Sequence, residues 1–180
     1  METKVGTKVD VDLEDFSDEV AEFIPDLIDS KDHQKRLNAR NSLINMGRSV
    51  LPQINILLKS DNFELRIEGA KIIQQIRAKE SIRTLVRLLE DDDSTIRWVA
   101  ARGLILQGRD SIAPLLVALV KRGRSYYLKS GAHFILKNLF SEKEKIEYKT
   151  LLMSLLNVNY IGVIAPLEAS KALKALCANY

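Results

Sequence analysis

The 180 residues hold one cysteine, two histidines and one tryptophan. Cys177 alone rules out an intramolecular disulfide and a cysteine metal cluster. His33 and His133 lack a second His or Cys at metal-ligand spacing, so no metal site is expected. No glycine-rich phosphate loop and no nucleophile elbow is present. No catalytic residue and no cofactor follow from the sequence. Period-two alternation is confined to Val9–Asp12, so strands have no support. No apolar run approaches the ~20 residues of a membrane span. The first ten residues, METKVGTKVD, lack the apolar region of a secretory signal. The expected setting is reduced and cytoplasmic, without a membrane partner.

Charge is plentiful and unevenly placed. Asp10, Asp12, Glu14, Asp15, Asp18, Glu19, Glu22, Asp26 and Asp29 follow one another with no Lys or Arg among them. The overall charge is nevertheless +3, so the chain after Ser30 is basic. A basic surface admits an acidic protein partner or nucleic acid. A solvated polar face is the plainer meaning of such blocks. Residues 1–16 are expected to form a flexible polar lead-in, and 17–180 the folded array.

From Asp18 onward the apolar residues have helical period. Val20, Phe23, Ile24, Leu27 and Ile28 share one face of a helix that Pro25 should kink. After Asp32 the chain repeats. Arg36, Arg66 and Arg97 are 30 and 31 residues apart. Three and four positions later come Ala39–Arg40, Gly69–Ala70 and Ala100–Ala101, small except at Arg40, and Leu43, Ile73 and Leu104 follow at the seventh. A fourth copy fits with Leu128 in the arginine position, Gly131–Ala132 and Ile135. A register one residue later would align Lys129 but put His133 in the small-residue slot. Asp32, an Asp61–Glu64 box and the Asp92–Ser94 stretch read as helix caps. Stripes at Val50–Leu58, Ile82–Leu89, Ile112–Leu119 and Ile146–Leu156 read as partner helices, with a last helix from about Pro166. Leu167 and Leu173 are expected to pack on Leu152 and Leu155, with Ile161, Val163 and Ile164 capping the end. A period near 30 with two helices per unit predicts an all-α, right-handed α-solenoid of about five helix pairs.

Asp92, Asp93, Ile96–Arg97, Ala100–Ala101, Leu104, Gly108, Pro114, Leu115 and Leu119 resemble HEAT-like repeats of the type named after phycobilisome lyases. Asp61, Arg66, Ala70 and Ile73 match less completely, and Asp32, Arg36, Ala39, Leu43 and Gly47 match about as well as that second set. The likeness covers roughly residues 18–156. It implies that the aspartates and arginines Asp32, Arg36, Asp61, Arg66, Asp92 and Arg97 link adjacent repeats, and that the links end at Leu128. It implies a scaffold for other proteins. Relatives with chemistry include bilin lyases, a di-iron hydroxylase and a DNA glycosylase. Neither histidine precedes a glutamate, which counts against the di-iron case.

One position in successive helices carries Asn41, Lys71, Arg102 and His133, and another, one turn on, carries Asn45, Gln75, Leu106 and Lys137. Equivalent positions of a solenoid form rows. By the resemblance, these helices line its concave side. Lys71, Trp98, Arg102, His133 and Lys137 are therefore the candidate partner-binding residues. Trp98 is either a packing residue, like Leu37 and Ile67 at the same position, or an anchor. Arg102 lies four residues on, on the same side. Glu142 and Glu144 alternate with lysines and read as a solvated surface. The expected function is a monomeric, non-catalytic scaffold for a protein partner. Nucleic-acid binding, including a glycosylase-like form, and bilin-lyase-like pigment binding are the alternatives.

Overall fold

A computed structural model describes residues 11–28, 31–156 and 163–178. Those residues are helical, with no strand among them. The chain divides into two compact units, residues 1–76 and 77–180.

In the first unit, α1 (Asp18–Ala21) and α2 (Ile24–Ile28) are separate short helices. The sequence suggested one helix kinked at Pro25. The break instead falls at Glu22–Phe23, which places Pro25 in the first turn of α2, where no amide is missed. α2 packs across α3 (His33–Asn45) and α5 (Phe63–Ile76), and α4 (Leu51–Leu57) packs on α5. Residues 11–16 contain a 3-10 turn, Leu13–Asp15, capped by Asp12, and Phe16 is buried. The Ser17 amide donates to Gln53 Oε1 at 2.8 Å. The cap of α5 is Asn62, which accepts from the Glu64 amide at 2.8 Å. The expected Asp61–Glu64 box is one residue out of register.

The second unit is two layers. α7 (Ser94–Gln107), α9 (Tyr126–Leu139) and α11 (Lys149–Leu156) lie side by side. α6 (Ile82–Leu88), α8 (Ile112–Arg122) and α12 (Ile164–Ala178) form the other layer. Short α10 (Glu142–Glu147) leads into α11. The Ile146–Leu156 stripe was read as the fourth partner helix. It is split instead: Ile146 is 78% exposed on α10, while Leu151 and Leu155 bury α11 beside α9. α12 takes the place next to α8. The residues α12 buries fully are Ala165, Ala169 and Ala172, Leu173 is half-buried, and Leu167 stays 52% exposed. Close approach explains the choice of alanine. Pro166 sits so near Gly123 that a Cβ there would meet Pro166 Cγ at 2.7 Å. Val163 is 59% exposed, so the expected apolar cap of the array is not formed by it. Ile161 lies outside the described residues.

The repeat is visible in the backbone. Gly47, Arg77 and Gly108, spaced 30 and 31 residues apart, have φ of 65°, 50° and 69°. Each follows a long helix with a positive φ, which costs an L-residue with a Cβ roughly 1–2 kcal/mol. Gly108 splits Ser94–Arg122 into α7 and α8. That stretch was expected to hold no run of membrane length, but by length and composition it is apolar enough to cross one. Arg77 is the one non-glycine residue of positive φ among those described. Arg77→Gly is therefore expected to stabilise the chain by about 0.5–1 kcal/mol, because the strain relieved exceeds the entropy glycine adds to the unfolded state. A rise in the urea midpoint at unchanged slope would show it. A fall would mean that the Arg77 side chain holds the turn.

Candidate functional site

The site is built from the starts of α7 and α9. Asp93 Oδ1 accepts from the amides of Thr95 at 2.7 Å and Ile96 at 3.2 Å. Desolvation raises the Asp93 pKa, but these amides and the Arg97 charge outweigh it and leave the carboxyl below its ordinary value. One turn on, Arg97 Nη1 donates to the carbonyls of Asp91 at 2.6 Å and Asp92 at 2.8 Å. Arg66 does the same with Ser60 and Asp61, both at 2.9 Å. The repeating arginines thus brace the turn before their own helix through backbone oxygens. Asp32 caps α3, accepting from the Lys35 amide at 3.0 Å, and Arg36 Nη2 approaches His33 Nδ1 at 3.4 Å.

Within the second unit, further side-chain contacts join one repeat to the next. Gln107 Nε2 donates to Ala78 O at 3.2 Å and Ser81 Oγ at 3.0 Å. Lys79 pairs with Asp110 at 2.8 Å, and Arg122 with Glu90 at 2.8 Å. Arg109 holds Glu144 with two bonds, 2.6 and 3.1 Å. Glu144 also closes a capping box with Ser141. It is therefore not the solvated residue its Lys–Glu alternation suggested. Arg109, followed by the Ser141 bonds, brings its pKa down to about 2 against the opposing effect of burial.

Between α7 and α9 runs a groove of about 430 Å³. Arg97 lies over the Tyr127 ring at 3.9 Å, and Tyr126 meets Tyr127 edge-on with centroids 5.8 Å apart. Trp98 tilts on Phe134 at 5.0 Å. Ala101, Ser130 and Gly131 leave room between these aromatic walls, and Leu89 lies beneath them. A Cβ at Gly131 would meet Leu89 Cδ2 at 3.1 Å, so the glycine lets the backbone sit low in the groove. Trp98 is 50% exposed and Tyr126 62%, a large apolar area without a cover.

Neither α7 nor α9 contains an aspartate or glutamate. Their basic side chains are Arg97, Arg102, Lys129, His133 and Lys137. Arg102 is exposed and has no hydrogen bond or ion pair among the described residues. It follows Trp98 by one turn, as Lys137 follows Phe134. Burial, then the Lys137 charge, lowers the His133 pKa, which favours the neutral ring.

Of the sequence candidates, Trp98 and Arg97 line the groove. Arg102, His133 and Lys137 lie on its two helices outside the lining. Lys71 belongs to the first unit, where its ammonium is held by buried Glu68 at 2.7 Å. Tyr126, Tyr127 and Phe134 were not among the candidates, and Gly131 was read only as a small repeat position. The adjacent tyrosines behind the Ser125 cap, five and four residues before Gly131, were the available signal. A second hollow of about 670 Å³, between α6 and α8, is larger. Its lining of Arg83, Val86, Pro114, Val117 and Lys121 holds no aromatic ring, and its Arg122 is engaged by Glu90. The described residues hold no group of three or more His, Cys, Asp or Glu placed to bind a metal.

A family model for HEAT repeats matches residues 50–137. The matched span takes in the segments aligned on Arg66, Arg97 and Leu128, and both walls of the groove. HEAT repeats are commonly protein-interaction scaffolds. No curated protein and no solved structure matches the chain.

Proposed function

We propose that this chain is a non-catalytic scaffold that binds a protein partner in the groove between α7 and α9. The observation that carries the reading is the cluster of Trp98, Phe134, Tyr126 and Tyr127, half open to solvent, with Arg97 fixed among them. Aromatic and arginine residues contribute most of the energy at protein interfaces. Here they stand on two packed helices, so little freedom is lost when a partner seats on them.

A photo-crosslinking residue in place of Tyr126 tests this in the native cell. The expected result is one dominant protein adduct, absent when the same group replaces exposed Lys149 on α11. Trp98→Ala should remove the adduct, since a central aromatic is worth about 2 kcal/mol or more of binding, roughly thirtyfold. The folded state should lose about 0.5–1.5 kcal/mol with the Phe134 contact and roughly 2 kcal/mol more with the covered half of the ring. The same adducts from both positions, or an adduct indifferent to Trp98→Ala, would sink the reading.

Single-stranded nucleic acid is the second reading. Exposed rings beside cationic side chains are how such strands are held. Steep salt dependence of oligonucleotide binding would favour it.

A further inference from the structure

We infer that the groove takes an extended segment of its partner in which a bulky apolar side chain is flanked by carboxylates. This rests on the protein-scaffold reading and adds the chemistry of the partner. Two observations carry it. The first is shape: between Tyr127 and the Trp98–Phe134 pair, Ala101, Ser130 and Gly131 leave one notch over Leu89. A side chain entering there is enclosed by rings on both sides.

The second is charge. All the charged side chains that α7 and α9 carry are cations, and no carboxylate on either helix neutralises them. The contrast with α5 is direct, since its Lys71 is held by Glu68 of the same helix. Arg102 and Lys137, each one turn beyond a groove aromatic, are exposed on the two helices that wall the notch. Arg97 lines the notch, its position fixed by the Tyr127 ring and the Asp91 and Asp92 carbonyls. The carboxylates of Asp91–Asp93 lie before α7, and that of Asp93 is occupied by amides. A partner with acidic residues on both sides of its apolar anchor matches this arrangement, and a basic one meets like charge.

Trp98 is the only tryptophan, so its fluorescence reports occupancy of the notch. The probes are three labelled dodecapeptides offered to the full chain. One has a phenylalanine among aspartates and glutamates, one has the same phenylalanine among lysines, and one has the acidic frame with serine for phenylalanine. The acidic phenylalanine peptide should shift Trp98 emission and bind at least tenfold more tightly than either other, with the margin narrowing as salt rises. Arg102→Glu should cost it about tenfold and raise affinity for the lysine peptide. Lys137→Glu should act in the same direction, and both variants should melt like the parent because these side chains are exposed. Equal binding of acidic and basic peptides, no binding of any, or indifference to both charge reversals would overturn the inference. A protein adduct at Tyr126 alongside any of those results would leave the scaffold reading standing. Displacement of the bound peptide by a twenty-nucleotide thymidine strand, with no protein adduct at Tyr126, would overturn both.

Discussion

Glu68→Ala is expected to lower the stability of the chain by about 3–5 kcal/mol, the range for breaking a buried ion pair by removing one partner. Glu68 is 1% exposed, and two cations depend on it. Arg40 Nε reaches Oε2 at 2.6 Å and its Nη2 reaches Oε1 at 3.3 Å, while Lys71 Nζ reaches Oε1 at 2.7 Å. The two cations do not depend on it equally. The Lys71 side chain is 35% exposed and can swing into water, whereas that of Arg40 is 17% exposed and cannot regain its hydration without moving α3 from α5. Lys71→Ala should therefore cost less than about 1 kcal/mol, as for an exposed pair. A double replacement, Arg40→Met with Glu68→Leu, should recover most of the loss, because neither charge then remains to be desolvated. Urea unfolding of the four proteins measures all three statements. A Glu68→Ala variant within 1 kcal/mol of the parent would show that water solvates the arginine.

This pair also shows where reading the sequence stops. Arg40 was visible as an oddity, since it fills the slot that Ala70, Ala101 and Ala132 keep small. Glu68 was not, because a glutamate three residues before a lysine resembles any exposed helical pair. Its burial arises from α3 packing on α5 through a contact 28 residues away in sequence. The row of equivalent positions came from spacing along the chain, yet Lys71 is engaged by Glu68 while Arg102 has no ion pair among the described residues. Position within a repeat does not say what faces it.

The helices and their period were legible because apolar spacing determines both. Leu43, Ile73, Leu104 and Ile135, aligned from spacing alone, are all fully buried. The groove was legible only in part. Trp98 was singled out for its rarity, but its walls come from α9, and which residues of α9 turn toward α7 depends on how the two helices pack. Tyr127 in particular is one residue before Leu128, in a slot that is apolar and buried at Leu65 and Ile96. Tyrosine there reaches the surface because Arg97 gives its ring a charged partner. The positive φ at Arg77 was invisible for a related reason. Glycine marks such a position at Gly47 and Gly108, and arginine carries no such mark.

Leu104→Ala is the sharper test of the repeat itself. Leu104 is fully buried in α7, which packs on both α6 and α9. Truncation removes three carbons and leaves a cavity whose walls are set by three helices, so the loss should be about 2–5 kcal/mol. In an array where each repeat leans on its neighbours, that loss is felt first by those neighbours. Amide hydrogen exchange separates local from global opening. Protection should fall most in α6, α7 and α9. In a chain carrying Leu43→Ala instead, it should fall most in α2, α3 and α5, the helices packed around that leucine. If either substitution lowers protection equally across all the helices, the chain opens as one cooperative body and the repeats are not its unit of stability. If Leu104→Ala costs less than 1 kcal/mol, the α6, α7 and α9 helices close over the gap, and the core at this position is softer than its burial implies.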